Sequence, residues 1–203
     1  QWHSSEDYLK TNPNASPNTI QESALTRRPV FLWGSNGMIG SAVAAEISKT
    51  GRPLILADWR HPEEALAQAP TQAEGVDWVL CSGLTNPKLP LGELRAANVT
   101  FIQNVITATE NRSQLCRYLT VGTVHENFAE LCQGNAYLTS KQELGQWIGA
   151  RQKEAPGRFL HLRLHTIYSN RPHPHMFLGQ MLAALRSSAP FEIKGNITNV
   201  TTP

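Results

Sequence analysis

The sequence predicts an α/β domain with a doubly wound parallel sheet and helices on both faces. Short apolar runs of strand length recur between segments of helical spacing, and a glycine-rich turn joins the first run to the first helix. At 203 residues, 40% apolar and 17% charged, the chain is long enough for one core of that kind. The runs are continuously apolar rather than alternating, as strands covered on both faces should be.

Residues 1–28 are polar and carry Pro13 and Pro17 among Asn and Ser, so they read as a surface arm ahead of a domain over 29–203. A first strand is expected at 30–33. A helix follows through Ala42, Val43, Ala44 and Ile47 and stops at Gly51. Further strands are expected at 54–57, 77–81, 118–121 and 159–164. The helices between and after them are expected at 63–69, ahead of Pro70, and at 94–109, 137–150 and 176–185. In the helix at 94–109, Val99, Ile102, Val105 and Ile106 recur at helical spacing.

The net charge of +2 comes from scattered residues with no run of like charge, which argues against nucleic acid or a membrane surface as partner. No apolar run reaches the roughly 18 residues of a membrane span. Cys81, Cys116 and Cys132 are an odd set at irregular spacing, which suits neither a disulfide framework nor a zinc site and points to a reducing, cytoplasmic setting. His161, His165, His173 and His175 have no acidic or cysteine ligand close in sequence, so no metal is expected. Trp33, Trp78 and Trp147 read as core, whereas Trp59 is a candidate contact for an adenine ring. The start at Gln1 and the stop at Pro203 read as the ends of a fragment.

Gly34, Gly37 and Gly40 stand at three-residue intervals straight after the first strand. In a doubly wound sheet this turn offers backbone N–H groups and a helix N-terminus to a pyrophosphate, and a side chain would block the approach. Gly34, Gly37, Met38, Ile39 and Gly40 are therefore candidate cofactor contacts; the same spacing also suits an ordinary tight turn with close helix–strand packing. Asp58 ends the second strand, where an acid receives a ribose 2′-hydroxyl. That favours NAD, while Arg60, two residues on, leaves NADP open.

Tyr137 and Lys141 lie four residues apart on one helical face. A cation beside a phenol favours the phenolate, and the pair suits proton exchange with a sugar or alcohol hydroxyl while nicotinamide exchanges hydride.

The glycine turn, Asp58, the segment Asp77 to Gly83, Asn98-Val99, the YLTSK of residues 137–141 and the run from Leu162 to Tyr168 resemble the extended short-chain dehydrogenase/reductase superfamily, in particular its NAD-dependent epimerase/dehydratase branch. The resemblance implies a Rossmann-like fold over about 29–200, the beginning of a substrate-binding region near 170–203 and a C-terminal substrate lobe mostly absent after Pro203. It implies a nucleotide-sugar substrate and 4-epimerase or 4-keto reductase chemistry through a Thr, Tyr137 and Lys141. Thr123 is the first choice for the hydroxyl and Thr120 the second. Lys141 would also hold the nicotinamide ribose, Gly83 would lie against the cofactor, and Thr85 and His175 would face substrate. The resemblance further implies a homodimer through the helices at 94–109 and 137–150, with Leu144, Trp147 and Ile148 supplying apolar surface.

The chain departs from that pattern in places. The short interval between Asp58 and Asp77 leaves the family's extra strand shortened or absent, Thr166 and Ser169-Asn170 replace usual residues, and Val124-His125 follows Thr123 where dehydratases have Asp-Glu. These departures weaken dehydration. They also keep open a second reading, a non-catalytic cofactor-binding regulatory or scaffold protein.

Overall fold

The computed structural model describes residues 28–69, 75–112, 115–165, 167, 177–187 and 190. The chain divides into two compact units, Gln1–His165 and Thr166–Pro203. Of the expected arm over 1–28, residues 1–27 lie outside the described residues, as do Thr166, Tyr168, Ser169, Asn170 and His175.

The first unit holds five parallel strands: β1 (Val30–Trp33), β2 (Leu54–Ala57), β3 (Asp77–Leu80), β4 (Arg117–Thr123) and β5 (Phe159–Leu164), in the spatial order β2-β1-β3-β4-β5. Among the described residues no strand lies between β2 and β3, so β3 pairs directly with β1 and β2 forms an edge. Leu56 on that edge strand is 58% exposed.

Helix α1 (Met38–Lys49) follows β1, and α2 (Pro62–Gln68) follows β2. After β3, α3 (Leu91–Arg95), a π-helical turn (Ala96–Thr100) and α4 (Phe101–Glu110) run continuously. A 3-10 turn (Val124–Asn127) and the short α5 (Ala129–Cys132) follow β4, and neither was expected from the sequence. Next comes α6 (Ala136–Glu154), whose N-cap Asn135 accepts the Leu138 N–H at 3.1 Å. The second unit contributes α7 (Phe177–Ser187).

Side chains alternate across the pleat and build two cores. Val30, Leu32 and Val79 point to one face and pack with Val43, Ala44 and Ile47 of α1. Phe31, Trp33, Trp78, Leu80, Tyr118 and Phe159 point to the other and pack with residues of α2, α4 and α6. Leu144 and Ile148 belong to this second core and are fully buried, with Trp147 packed partly against it. This corrects the expectation for α6: Leu144 and Ile148 face the sheet and offer no outward surface for a partner.

At the amino end of the sheet the buried Asp77 carboxylate binds Arg28 at 3.0 Å, Arg52 at 2.6 Å and Arg117 at 2.7 Å. Burial opposes its ionisation, yet the guanidinium groups outweigh burial and lower its pKa from 3.8 to about 2. The opposite, carboxyl end is the edge where open α/β sheets bind ligands.

Candidate active site

The glycine turn lies at the carboxyl end of β1. Gly34 adopts φ +81°, and a Cβ there would come within 2.6 Å of the Ser82 backbone nitrogen. A Cβ on Gly40 would come within 2.1 Å of the Gly34 carbonyl oxygen. Gly37 is the N-cap of α1 and gives no side-chain cap, and no acidic residue stands in the first turn. Among the described residues, the N–H groups of Met38, Ile39 and Gly40 therefore open α1 without an intrahelical or capping partner. Beside this cradle, Ser82 Oγ is buried with no hydrogen-bond partner among the described residues. Close packing explains Gly34 and Gly40, and the same backbone arrangement fits an anionic pyrophosphate.

Asp58 and Arg60 follow β2 at the same edge. Asp58 Oδ1 accepts the Arg60 backbone N–H at 2.9 Å and lies 3.6 Å from its guanidinium, which stacks over the exposed Trp59 ring at 4.9 Å. The two candidate discriminators between NAD and NADP are thus paired with each other.

Beyond β3, the loop at Gly83 and Leu84 is clamped by Asn98, a fully buried residue in the π-helical turn. Asn98 Oδ1 accepts the Leu84 N–H at 2.7 Å, and its Nδ2 donates to Leu84 O and to Ser140 Oγ, each at 3.0 Å. A Cβ on Gly83 would lie 2.7 Å from Asn98 Oδ1 and 3.6 Å from Lys141 Nζ. Thr85 is exposed on the same loop. The sequence signal for this clamp is an amide among the apolar positions of its helix, but its partners are fixed only by the fold.

Lys141 is 7% exposed, and its Nζ donates to the Val121 carbonyl at 2.9 Å. Burial lowers its pKa from 10.5 to about 8, against the attraction of Glu126 and Cys81. Tyr137 stands one helical turn earlier. Its phenol is held above its ordinary value, by burial first and by the Glu126 carboxylate second. That direction is opposite to the lowering expected from Lys141.

The two threonines differ. Thr123 Oγ1 caps the 3-10 turn by accepting the His125 N–H at 3.4 Å, and it lies 3.3 Å from His125 Nδ1. Thr120 is fully buried, with Oγ1 2.7 Å from His161 Nδ1. Thr123 ends β4 at the candidate site, whereas Thr120 sits inside the sheet.

Gly34, Gly37, Gly40, Asp58, Gly83, Thr123, Tyr137 and Lys141 thus gather at the carboxyl ends of the strands or just beyond. Among the described residues no group of three or more His, Cys, Asp or Glu is placed to hold a metal ion, and no helix is long and apolar enough to cross a membrane.

No family model matches the chain, and no curated protein matches it in sequence. Solved structures do match in fold. UDP-glucuronic acid 4-epimerase from Bacillus cereus, in complex with NAD, aligns with a TM-score of 0.63 at 11% identity over 80% of this chain and 63% of that one. UDP-glucose 4-epimerase from Thermus thermophilus, also with NAD, aligns at 0.60 and 16% identity over 80% and 64%. The bulky-bulky ketone specific alcohol dehydrogenase from Comamonas testosteroni aligns at 0.57 and 13% identity over 80% and 82%. The chain spans less than two thirds of the length of either epimerase. What is shared at these identities is architecture: the chain has the Rossmann-like fold common to these epimerases and this dehydrogenase.

Proposed function

We propose that the protein is an NAD(P)-dependent oxidoreductase or epimerase of the extended short-chain dehydrogenase type, acting on a nucleotide-activated sugar. The observation that carries this reading is the buried Lys141 ammonium, one turn from Tyr137, at the same sheet edge as the uncapped glycine turn. Gly34, Gly37, Met38, Ile39 and Gly40 would hold the pyrophosphate, Asp58 or Arg60 the adenosine ribose, and Gly83 and Lys141 the nicotinamide end. The cradle that Cβ atoms would fill and the Ser82 hydroxyl, which has no partner among the described residues, fit that group.

When bound, the reduced cofactor supplies the hydride that adds to a carbonyl carbon. Tyr137 donates its phenolic proton to the carbonyl oxygen as the C=O electron pair becomes an alkoxide, which leaves an alcohol. Lys141 stabilises the resulting phenolate. A phenol held above its ordinary pKa suits this donor role, so keto reduction, and the reductive half of 4-epimerisation, fit better than abstraction by a standing phenolate. The nucleotide-sugar assignment draws on the two UDP-sugar epimerases of like fold. Thr123 orients the hydroxyl in this reading, and Thr85 contacts substrate; the same role expected of His175 falls outside the described residues. The cytoplasm, where Cys81, Cys116 and Cys132 stay reduced, is the proposed setting. A homodimer across α4 and α6 would rest on residues other than Leu144 and Ile148.

The test is titration of NADH and NADPH by energy transfer from tryptophan, followed by turnover on a panel of UDP- and GDP-sugars and their 4-keto forms. Absence of binding by both cofactors at millimolar concentration ends this reading. A second reading, a cofactor-binding regulatory protein without turnover, draws on the use of the Thr123 hydroxyl as a helix cap and the burial of Thr120. Cofactor binding with no turnover across the panel favours it.

A further inference from the structure

The face of α6 that carries Tyr137 and Lys141 continues, at the next i+4 position, to Gly145. Glycine in the middle of a helix costs about 1 kcal/mol relative to alanine, and here the missing Cβ makes room. A Cβ at 145 would lie 2.5 Å from Glu126 Oε1 and 3.2 Å from His161 Nε2. Across the gap, a Cβ on Gly122 of β4 would lie 2.4 Å from Glu126 Oε2 and 2.3 Å from His161 Nε2. Two glycines on facing elements thus enclose a carboxylate and an imidazole.

The Glu126 side chain is 1% exposed and that of His161 5%. Glu126 Oε1 lies 2.8 Å from His161 Nε2 and accepts the Arg163 Nε–H at 2.7 Å, and Oε2 accepts the Thr123 N–H at 3.0 Å. Because a carboxylate only accepts, Nε2 carries the hydrogen. His161 Nδ1 then faces Thr120 Oγ1. The order hydroxyl, imidazole, carboxylate is that of a nucleophilic triad, but Thr120 is fully buried and reaches no substrate. The chain of contacts is therefore a tether. Its other end is on α6, where Gln142, next to Lys141, donates to the Glu126 backbone carbonyl at 3.0 Å.

We propose that Glu126, locked by His161 and Arg163 between Gly122 and Gly145 and tied to α6 through Gln142, is a positioning residue: it anchors the Thr123 turn and sets the charge beside the α6 face that Tyr137 and Lys141 share with Gly145. Its place in proton exchange rests on the function proposed above. The titratable or charged groups around it are Tyr137 and Lys141 from α6, His161 and Arg163 from β5, Cys132 from α5 and His125 from its own turn, while Cys81, just after β3, acts on Lys141. Attraction to Glu126 is the larger of the two charge effects that keep Lys141 protonated against burial, and the same charge disfavours the Tyr137 phenolate. One buried carboxylate thus biases both groups towards the proton-donating state.

The test uses the full chain labelled with 13Cε-lysine and needs neither substrate nor cofactor. Glu126→Gln keeps the size of the side chain and removes its charge. It should raise the acid ionisation constant of Lys141 by about tenfold, one unit below the wild-type value, and shift the Thr123 amide resonance. His161→Gln, which keeps a donor towards Glu126, should leave Lys141 titrating as in wild type. An unchanged Lys141 titration in a folded Glu126→Gln protein overturns the proposal. If that variant does not fold, wild type decides: the 13Cε signal of Lys141 should move as the Glu126 carboxyl titrates in acid, and a flat signal overturns the proposal. In an active protein, Glu126→Gln should displace the pH profile of kcat/KM; a loss of amplitude at unchanged position would mark a merely structural residue. Because the titration is read without ligand, its failure is distinct from a failure to bind NAD(P).

Discussion

Lys141 donates from Nζ to the carbonyl oxygen of Val121 at 2.9 Å, fastening the first turns of α6 to the end of β4 through a buried cation. Burial holds its native pKa near 8. The unfolded chain therefore binds more protons than the native state between about pH 8 and the ordinary lysine value of 10.5, and stability from this group rises with pH across that window by about 3 kcal/mol. Cys81, pushed up by burial from 9.0 to about 11, acts in the opposite sense at overlapping pH, so the comparison must isolate Lys141. Any stability advantage of Lys141→Met over wild type at pH 7 should shrink by about 3 kcal/mol on going to about pH 10.5, as read by urea denaturation. Parallel curves would show that the ammonium is solvated.

Tyr137→Phe removes a hydroxyl and nothing else. Folding and cofactor affinity should persist while turnover falls by roughly 10²–10⁴-fold, the range for a positioned acid/base group. Steady-state rates beside NADH titration separate the two effects, and an undiminished rate would remove Tyr137 from the reaction.

Gly40→Ala puts a Cβ 2.1 Å from the Gly34 carbonyl oxygen, a backbone atom that yields only if the turn moves. It should lower NADH affinity by about tenfold or more and cost about 2 kcal/mol of stability. Gly51→Ala is the control. Gly51 has φ +69°, but no atom of the described residues lies within 4 Å of a Cβ there, so alanine should cost about 1 kcal/mol and leave NADH binding unchanged.

Asp58 and Arg60 compete at the end of β2. Asp58→Ala frees the guanidinium and removes like-charge repulsion from a 2′-phosphate, so NADP should gain on NAD by about tenfold. Arg60→Ala should move the ratio the other way. Equal ratios in wild type and both variants would place the adenosine ribose elsewhere.

Asp77 governs acid stability. Its native pKa near 2 lies below the ordinary 3.8, so its contribution is complete above about pH 4 and is lost as pH falls towards 2. Wild type should lose about 2 kcal/mol over that interval through this group. Asp77→Asn should lack that loss and be less stable at pH 7 by about 3 kcal/mol, because Arg28, Arg52 and Arg117 lose their shared anion. Denaturant midpoints at pH 7 and pH 3 check both statements.

The alternation of strands and helices, the glycine turn after β1 and the common face of Tyr137 and Lys141 were legible in the linear chain. Each depends on a local period, about 2.0 for a strand and about 3.6 for a helix, or on a conformation that only glycine adopts at low cost. The helical pattern at 94–109 marked the buried Val99, Ile102, Val105 and Ile106 but not the π-helical turn that carries Asn98 inward. Nor did periodicity say which way α6 would turn Leu144 and Ile148. An apolar stripe can meet a sheet or a partner, and the packing of α6 over β4 and β5 turned it to the sheet.

The electrostatic setting of the site came from tertiary structure alone. Glu126 meets a histidine 35 residues away and an arginine 37 residues away, in room left by Gly122 and Gly145, and no spacing rule joins those positions. The same holds for charge. A lysine four residues from a tyrosine can be solvated or buried, and its protonation depends on how much water the fold removes and which carboxylate stands near. Both quantities are set by long-range packing rather than by neighbours in the chain.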